Sequence, residues 1–264
     1  MKFITSRDNA LFKQLKALSQ DAREIRKQDR TILDGPHLVS VYRDKVGLPE
    51  FLCLSERSLE RDEIVALMAA HAPLVPICLK DSLFREISPT EAPVGILSVI
   101  RIPAPAAVIG GDALLLDALQ DAGNVGTLMR SAAAFGIGNV FLGEGCANAW
   151  SPKVLRSAQG AHFSLRIQER CDLQEILREL PSYKLATVVS EGLSLYRVNL
   201  SHSAGLAWVI GNEGNGVSSF LLDLCDGRVT IPMSSDSESL NAAVAGSICF
   251  AEAARQRNEK GLAG

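Results

Sequence analysis

The segment from Ile210 to Arg255 reads IGNEGNGVSSFLLDLCDGRVTIPMSSDSESLNAAVAGSICFAEAAR, and it constrains the fold more than any other part of the chain. One short apolar run, Leu206 to Ile210, ends in a Gly/Asn-rich turn. A second, Val229 to Ile231, leads through a Ser-rich stretch into an Ala-rich helix. A third unit of the same kind lies upstream, where the apolar run Ala113 to Leu119 precedes QDAGNVGTLMRSAAAFG, Gln120 to Gly136. Apolar runs closed by turns and alternating with helical patterns are what a two-faced, mostly parallel sheet requires. The runs Asn139 to Leu142 and Tyr183 to Val189 extend that alternation, so residues 113–264 are expected to form an α/β domain.

Upstream, the segment Arg101 to Asp112, RIPAPAAVIGGD, carries two prolines and two glycines and separates regions of different character. The expected division is a first domain at 1–103, a linker at 104–112 and the α/β domain at 113–264. Within the first domain a charged helix is expected over Asn9 to Arg30, strands over Arg30 to Leu33 and Glu50 to Leu54, and a helix over Leu59 to Ala70. Strands near Leu74 to Cys78 and Val94 to Ile100 complete a small α/β unit.

Composition excludes several classes. At 264 residues and 47% apolar the chain can bury a core, and no run approaches the roughly 18 apolar residues of a spanning helix. The start of the chain lacks the apolar core of a secretory signal, so a cytoplasmic protein is expected. The six cysteines lie at least 24 residues apart, and His37, His71, His162 and His202 are scattered, which leaves no metal-ligand spacing. The net charge of −3 argues against nucleic-acid binding by bulk electrostatics. Residues 1–30 nevertheless carry eight basic residues against four acidic ones, a basic end on an acidic body that suits docking of a structured RNA. A solvated, charge-rich helix is the plainer reading of the same residues.

The turns carry the chemistry. In Asn124 to Gly136 the residues Val125, Leu128, Met129, Ala132 and Phe135 fall on one helical stripe, with Gly136 as the stop, so Arg130 points away from the core. Gly211-Asn212-Glu213-Gly214-Asn215-Gly216 lets backbone amides approach a ligand, and its glycine spacing differs from the dinucleotide fingerprint Gly-x-Gly-x-x-Gly. Glu213, a carboxylate between glycines, adds nothing to packing. Small residues at Ala242, Ala243, Ala245, Gly246 and Ser247 permit close backbone approach by the last helix.

These three segments together resemble the signature motifs of the SpoU (TrmH-like) RNA ribose 2′-O-methyltransferases of the SPOUT class. The segment Ser151 to Gly160, SPKVLRSAQG, matches the family between its first two motifs. In the first domain, Ile4 to Asn9, Asp34-Gly35 and Pro93 to Leu97 resemble the ribosomal-protein-L30e-like substrate-binding domain that precedes many such catalytic domains; many relatives have Glu where Asp34 stands. The resemblance implies a trefoil knot over about Tyr183 to Arg257, S-adenosylmethionine as cofactor, and a homodimer acting on RNA, ribosomal RNA favoured over transfer RNA. It assigns catalysis to Arg130, Asn124, Glu213 and Asn241, and cofactor binding to Gly211, Ile231 and Leu240 with Asn212, Met233 and Ser239. RNA contacts are expected at Arg156, Arg7, Arg26 and Lys27. Two other classes stay open: a catalytically silent RNA-binding protein of the same fold, and a nucleotide-dependent oxidoreductase, which lacks its fingerprint here.

Overall fold

A computed structural model of the protein describes residues 1–104, 110–234 and 239–261, with backbone alone at 260 and 261. The chain divides into two compact units, Met1–Ala104 with Trp150–Phe163, and Pro105–Ala149 with Ser164–Gly264. Most of the expected linker, 105–109, lies outside the described residues. Sequence boundaries gave no sign that residues 150–163 group with the first unit.

The first unit opens with β1 (Lys2–Ile4) and then α1 (Ala10–Gln20), which starts where the Asn9 side chain accepts from the N–H groups of Leu11 and Phe12. Asp21, at φ −125°, ends α1 and caps α2 (Ala22–Gln28) by accepting from the Arg23 N–H. One charged helix is therefore two, because a capping aspartate interrupts it. The rest is β2 (Arg30–Asp34), α3 (Pro36–Lys45), β3 (Phe51–Ser55), α4 (Asp62–Ala70), β4 (Ile77–Leu79), α5 (Asp81–Ile87) and β5 (Ile96–Arg101). The mixed sheet has the order β1-β4-β3-β5-β2. β1, α3 and α5 escaped the sequence reading: β1 buries only Ile4, α3 shows a short mixed pattern that starts at a proline, and α5 is only seven residues long.

The second unit begins with β6 (Ala113–Leu116), α6 (Ala122–Ala134) and β7 (Asn139–Gly143), after which α7 (Pro152–Ala158) belongs to the first unit. It continues with β8 (Arg166–Cys171), α8 (Leu173–Glu179), β9 (Tyr183–Thr187), β10 (Leu193–Ser194), β11 (Leu206–Ile210), α9 (Ser219–Leu222), β12 (Gly227–Thr230) and α10 (Ala242–Gly261). Its seven strands run in the order β10-β12-β9-β11-β6-β7-β8, and every pair is parallel. β8 was missed because an edge strand, covered on one side only, keeps polar residues at Arg166, Gln168, Glu169 and Arg170. After the Gly-rich turn the chain makes only the single helical turn α9 before β12.

The central strands β6 and β11 are apolar throughout, and Ala113, Leu115, Phe141, Ala186, Ala207 and Val209 pack with Leu173, Leu177 and Leu221 in one core. On α6 the stripe holds at Val125, Leu128, Met129 and Ala132, all buried, but Phe135 is 38% exposed. Phe135 is the residue after the helix, where Gly136 at φ +78° already turns the chain, so the stripe stops short of it. Strand order departs from β6 in both directions, through β7 one way and β11 the other. In open parallel sheets the crevice beyond the carboxyl ends of strands at such a switch is where ligands bind. The turns after β6 and β11 both lie there.

Candidate active site

The turn after β11 closes on itself through Asn212. Its N–H donates to the Gly216 carbonyl (3.0 Å), its carbonyl accepts from the Gly216 N–H (2.9 Å), and its Oδ1 accepts from the N–H groups of Gly214 and Asn215. Its Nδ2 donates to the Ala118 carbonyl at 2.9 Å, which ties the turn to the one after β6. Gly211 is required by contact: a Cβ there would sit 2.1 Å from the Gly216 carbonyl carbon and the Val217 nitrogen, both backbone atoms that cannot rotate away.

This turn is one wall of a cavity of about 550 Å³, within the range of small-molecule sites. All six residues expected to bind cofactor line it: Gly211, Asn212, Ile231, Met233, Ser239 and Leu240. Glu213 and Asn241 line it as well. The sequence reading missed the opposite wall, Thr187 to Glu191 with Leu222, Arg228 and Val229. Its signal was the turn Ser190-Glu191-Gly192 after the apolar run of β9, a third turn at the same sheet end.

Three of the four residues expected to be catalytic form one hydrogen-bonded chain. Asn241 caps α10, its Oδ1 accepting from the N–H groups of Ala243 (2.9 Å) and Val244 (3.2 Å). With its oxygen so used, its Nδ2 donates to Asn124 Oδ1 at 2.8 Å, and Asn124 Nδ2 then donates to Glu213 Oε1 at 3.0 Å. The helix cap thus fixes the sense of both amides, a choice that otherwise rests on the network alone. Asn124 is 9% exposed and both ends of its amide are satisfied.

Glu213 is held below the ordinary carboxylate range. Desolvation pushes the other way and is the largest single influence, but the Asn124 amide and backbone N–H groups, among them that of Asp121 at 3.3 Å, outweigh it. Glu213 is therefore an acceptor at neutral pH. Asp121, which the sequence reading passed over, caps α6 by accepting from the Asn124 N–H at 2.7 Å and so positions the first asparagine.

The helices that carry the two asparagines pack along a shared seam. Ser131 and Ser247 are hydrogen-bonded at 2.7 Å, and a Cβ on Gly246 would approach Leu128 Cδ2 to 2.4 Å and Ile210 Cδ1 to 2.5 Å. The small residues of α10 are what allow that approach.

Arg130 lies elsewhere. It is exposed on α6, outside the cavity lining, and makes no hydrogen bond or ion pair among the described residues. Of the expected RNA contacts, Arg156 is exposed on α7, Arg7 donates to Glu86 at 2.5 and 2.7 Å, and Lys27 pairs with Glu24 at 3.2 Å. Arg26 is exposed, with no such partner among the described residues. Much of the basic character of residues 1–30 is thus spent on internal pairs, which Lys16 with Glu86 and Arg30 with Glu50 extend. Among the described residues no group of three or more His, Cys, Asp or Glu could hold a metal, and no helix is long and apolar enough to cross a membrane.

The pattern of the SpoU rRNA Methylase family matches residues 113–251. Over 258 residues, 94% of this chain and 97% of the relative, the chain is 33% identical to the 23S rRNA (guanosine(2553)-2′-O)-methyltransferase RlmP of Bacillus subtilis. It is 32% identical over 96% of its length, and 94% of the relative, to an uncharacterized tRNA/rRNA methyltransferase of Synechocystis. Among solved structures, the SpoU methyltransferase AviRb of Streptomyces viridochromogenes, in complex with AdoMet, superposes with a TM-score of 0.83 at 25% identity, covering 95% of this chain and 98% of that one.

Proposed function

The chain belongs to the SpoU rRNA methylase family, and we infer that it is an S-adenosylmethionine-dependent methyltransferase acting on a ribose 2′-hydroxyl of structured RNA, ribosomal RNA favoured over transfer RNA. The observation that carries this reading is the hydrogen-bonded chain from the α10 cap through Asn124 to Glu213 beside a cavity of cofactor size. A fold kept only for binding has no use for a buried asparagine that fixes a carboxylate, so the silent alternative is disfavoured. The cavity suits the cofactor. Its turn at Gly211 brings backbone amides to the wall, and Ile231 and Leu240 offer apolar surface to a purine.

When bound, S-adenosylmethionine supplies an electrophilic methyl carbon and a neutral thioether leaving group. The chain's own task is to present the ribose oxygen in line and to stabilise the charge that grows on it. Arg130 takes that task in this reading. A guanidinium keeps its proton at any ordinary pH, so it serves as a fork for the target phosphate and the 2′-oxygen rather than as a base. Glu213, fixed as a carboxylate, orders Asn124 and with it the floor beneath the reacting groups.

Because Arg130 lies outside the cavity lining, a second copy paired through the second unit would complete the site. The exposed apolar residues Phe135 on the α6 end and Val244 on α10 support such a pairing. A monomer in sedimentation at working concentration would contradict it. Insertion of β11 between β6 and β9, and of β12 between β9 and β10, supports a chain threaded as a knot over about 183–257. Arg156 and Arg26 are the remaining candidates for phosphate contact in the first unit, and the reading places the protein in the cytoplasm. The test of substrate class is transfer from radiolabelled cofactor to total RNA of a strain that lacks the gene, followed by size fractionation. Label in ribosomal RNA is expected; label confined to transfer RNA would overturn the stated preference.

A further inference from the structure

Two charged residues of the cavity wall have no part in the Asn124–Glu213–Asn241 chain: Glu191 and Arg228. They belong to different segments that the sheet brings together. β10 and β12 are parallel, with Leu193 opposite Val229 and Ser194 opposite Thr230. Continued back by one residue, that register sets Gly192 beside Arg228, so Glu191 and Arg228 fall at one end of the wall. The backbones lie close there. Thr230 Oγ1 donates to the Gly192 carbonyl at 3.1 Å, and a Cβ on Gly192 would be 2.9 Å from the Val229 carbonyl carbon.

Neither charge is used up among the described residues. Among the described residues Glu191 makes no hydrogen bond or ion pair, and Arg228 reaches only Asp223, at 4.0 Å between two exposed side chains. A pair of that kind is worth little in water. Glu191 is also held at φ +60°, a conformation a residue with a Cβ adopts at a cost. The wall thus carries one carboxylate and one guanidinium, on neighbouring backbone segments and unspent among the described residues, at the edge of a site for a cofactor that ends in an α-amino acid.

We propose that Glu191 and Arg228 hold the amino-acid end of S-adenosylmethionine, Glu191 receiving its α-ammonium and Arg228 its α-carboxylate. The pair presents the charges of a zwitterion in reverse, and the planar fork of Arg228 matches a carboxylate in two-point contact. A carboxylate alone at this wall would equally suit the ribose diol, as acidic residues do in dinucleotide folds. An arginine in the same lining is what favours the zwitterion. The proposal rests on the assignment of S-adenosylmethionine to this cavity.

Three ligands separate these outcomes by calorimetric titration: S-adenosylmethionine, S-adenosylhomocysteine, and 5′-methylthioadenosine, which keeps the adenosine and the sulfur but lacks the amino-acid end. The full chain is compared with Glu191→Gln and Arg228→Met. Each variant is expected to bind the first two ligands roughly tenfold or more weakly, the loss of one charge-assisted contact. Binding of 5′-methylthioadenosine should not change, and this also reports a folded cavity. Equal losses for all three ligands, or no loss at all, would overturn the proposal. A loss at Glu191→Gln for S-adenosylmethionine alone would place Glu191 beside the sulfonium and overturn it too. If the unaltered protein bound none of the three, the cofactor assignment itself would fail.

Discussion

Asn241→Asp separates the two jobs that one amide performs. A carboxylate at 241 still accepts from the N–H groups of Ala243 and Val244, and a negative charge at a helix N-terminus adds about 0.3–1 kcal/mol. What it cannot do is donate to Asn124 Oδ1, where the Nδ2 stands at 2.8 Å. The lost bond is worth about 0.5–1.5 kcal/mol, and leaving a buried acceptor unpaired costs about 1–3 kcal/mol. Asn124 could turn its own amide to meet the new carboxylate, but it would then give up its bond to Glu213. Either way the chain breaks, for about 2 kcal/mol at the site, which at 1.36 kcal/mol per decade is roughly a 30-fold loss in kcat/KM. Global stability should fall by about 1–2 kcal/mol, the same lost bond offset in part by the charge at the helix terminus. Asn241→Ala should lose the same activity and about 1 kcal/mol more stability, since it also loses the cap. The assay is methyl transfer to RNA at subsaturating substrate, with thermal unfolding alongside. If Asn241→Asp transferred methyl groups within twofold of the unaltered rate, the chain would have no catalytic role.

Three further outcomes are expected. Arg130→Lys keeps the charge and loses the fork, so methyl transfer should fall by about 10²-fold while calorimetric binding of S-adenosylmethionine is unchanged; transfer at the normal rate would remove Arg130 from the mechanism. Gly211→Ala forces a methyl group to within 2.1 Å of backbone, so cofactor binding should weaken by roughly tenfold or more, and unaltered affinity would show that the turn opens at little cost. Asp34 is raised above the ordinary carboxylate range by burial, against the hydroxyls of Ser88 and Thr90 and the charge of Arg156, and its Oδ1 has no hydrogen-bond partner among the described residues. Its folded value lies above its unfolded one, so the stability it contributes is present at low pH and lost as pH rises through the folded value. Asp34→Asn should therefore gain melting temperature over the unaltered chain between pH 4 and pH 8 by a few degrees, and a shrinking difference would contradict the burial argument.

Legibility followed burial and periodicity. The core strands β6 and β11 stood out because a strand covered on both faces is apolar at every position, as at Leu206–Ile210, and β7 and β9 because each keeps an apolar stretch beside a polar residue, Asn139 in one and Lys184 in the other. β1, β8 and β10 did not, because edge or very short strands leave no period to read. The turn residues were legible because Glu213, a carboxylate between glycines, adds nothing to packing, and all six expected cofactor residues line the cavity. The facing wall was hidden because its polar residues, Ser190, Glu191 and Arg228, come together only through the pairing of β10 with β12. Grouping of 150–163 with the first unit was equally invisible: it depends on contacts such as Thr31 Oγ1 donating to the Trp150 carbonyl at 2.6 Å, across 119 residues of sequence.

The most direct test of the central claim is where the methyl group goes. The purified protein is incubated with labelled S-adenosylmethionine and ribosomal RNA from a strain that lacks the gene, and the RNA is digested to nucleosides and resolved. The account predicts label in a 2′-O-methylated nucleoside, and initial transfer slower by about 10²-fold when Arg130→Lys replaces the unaltered chain. Label on a base-methylated nucleoside, or no transfer from a protein shown to bind the cofactor, would contradict it.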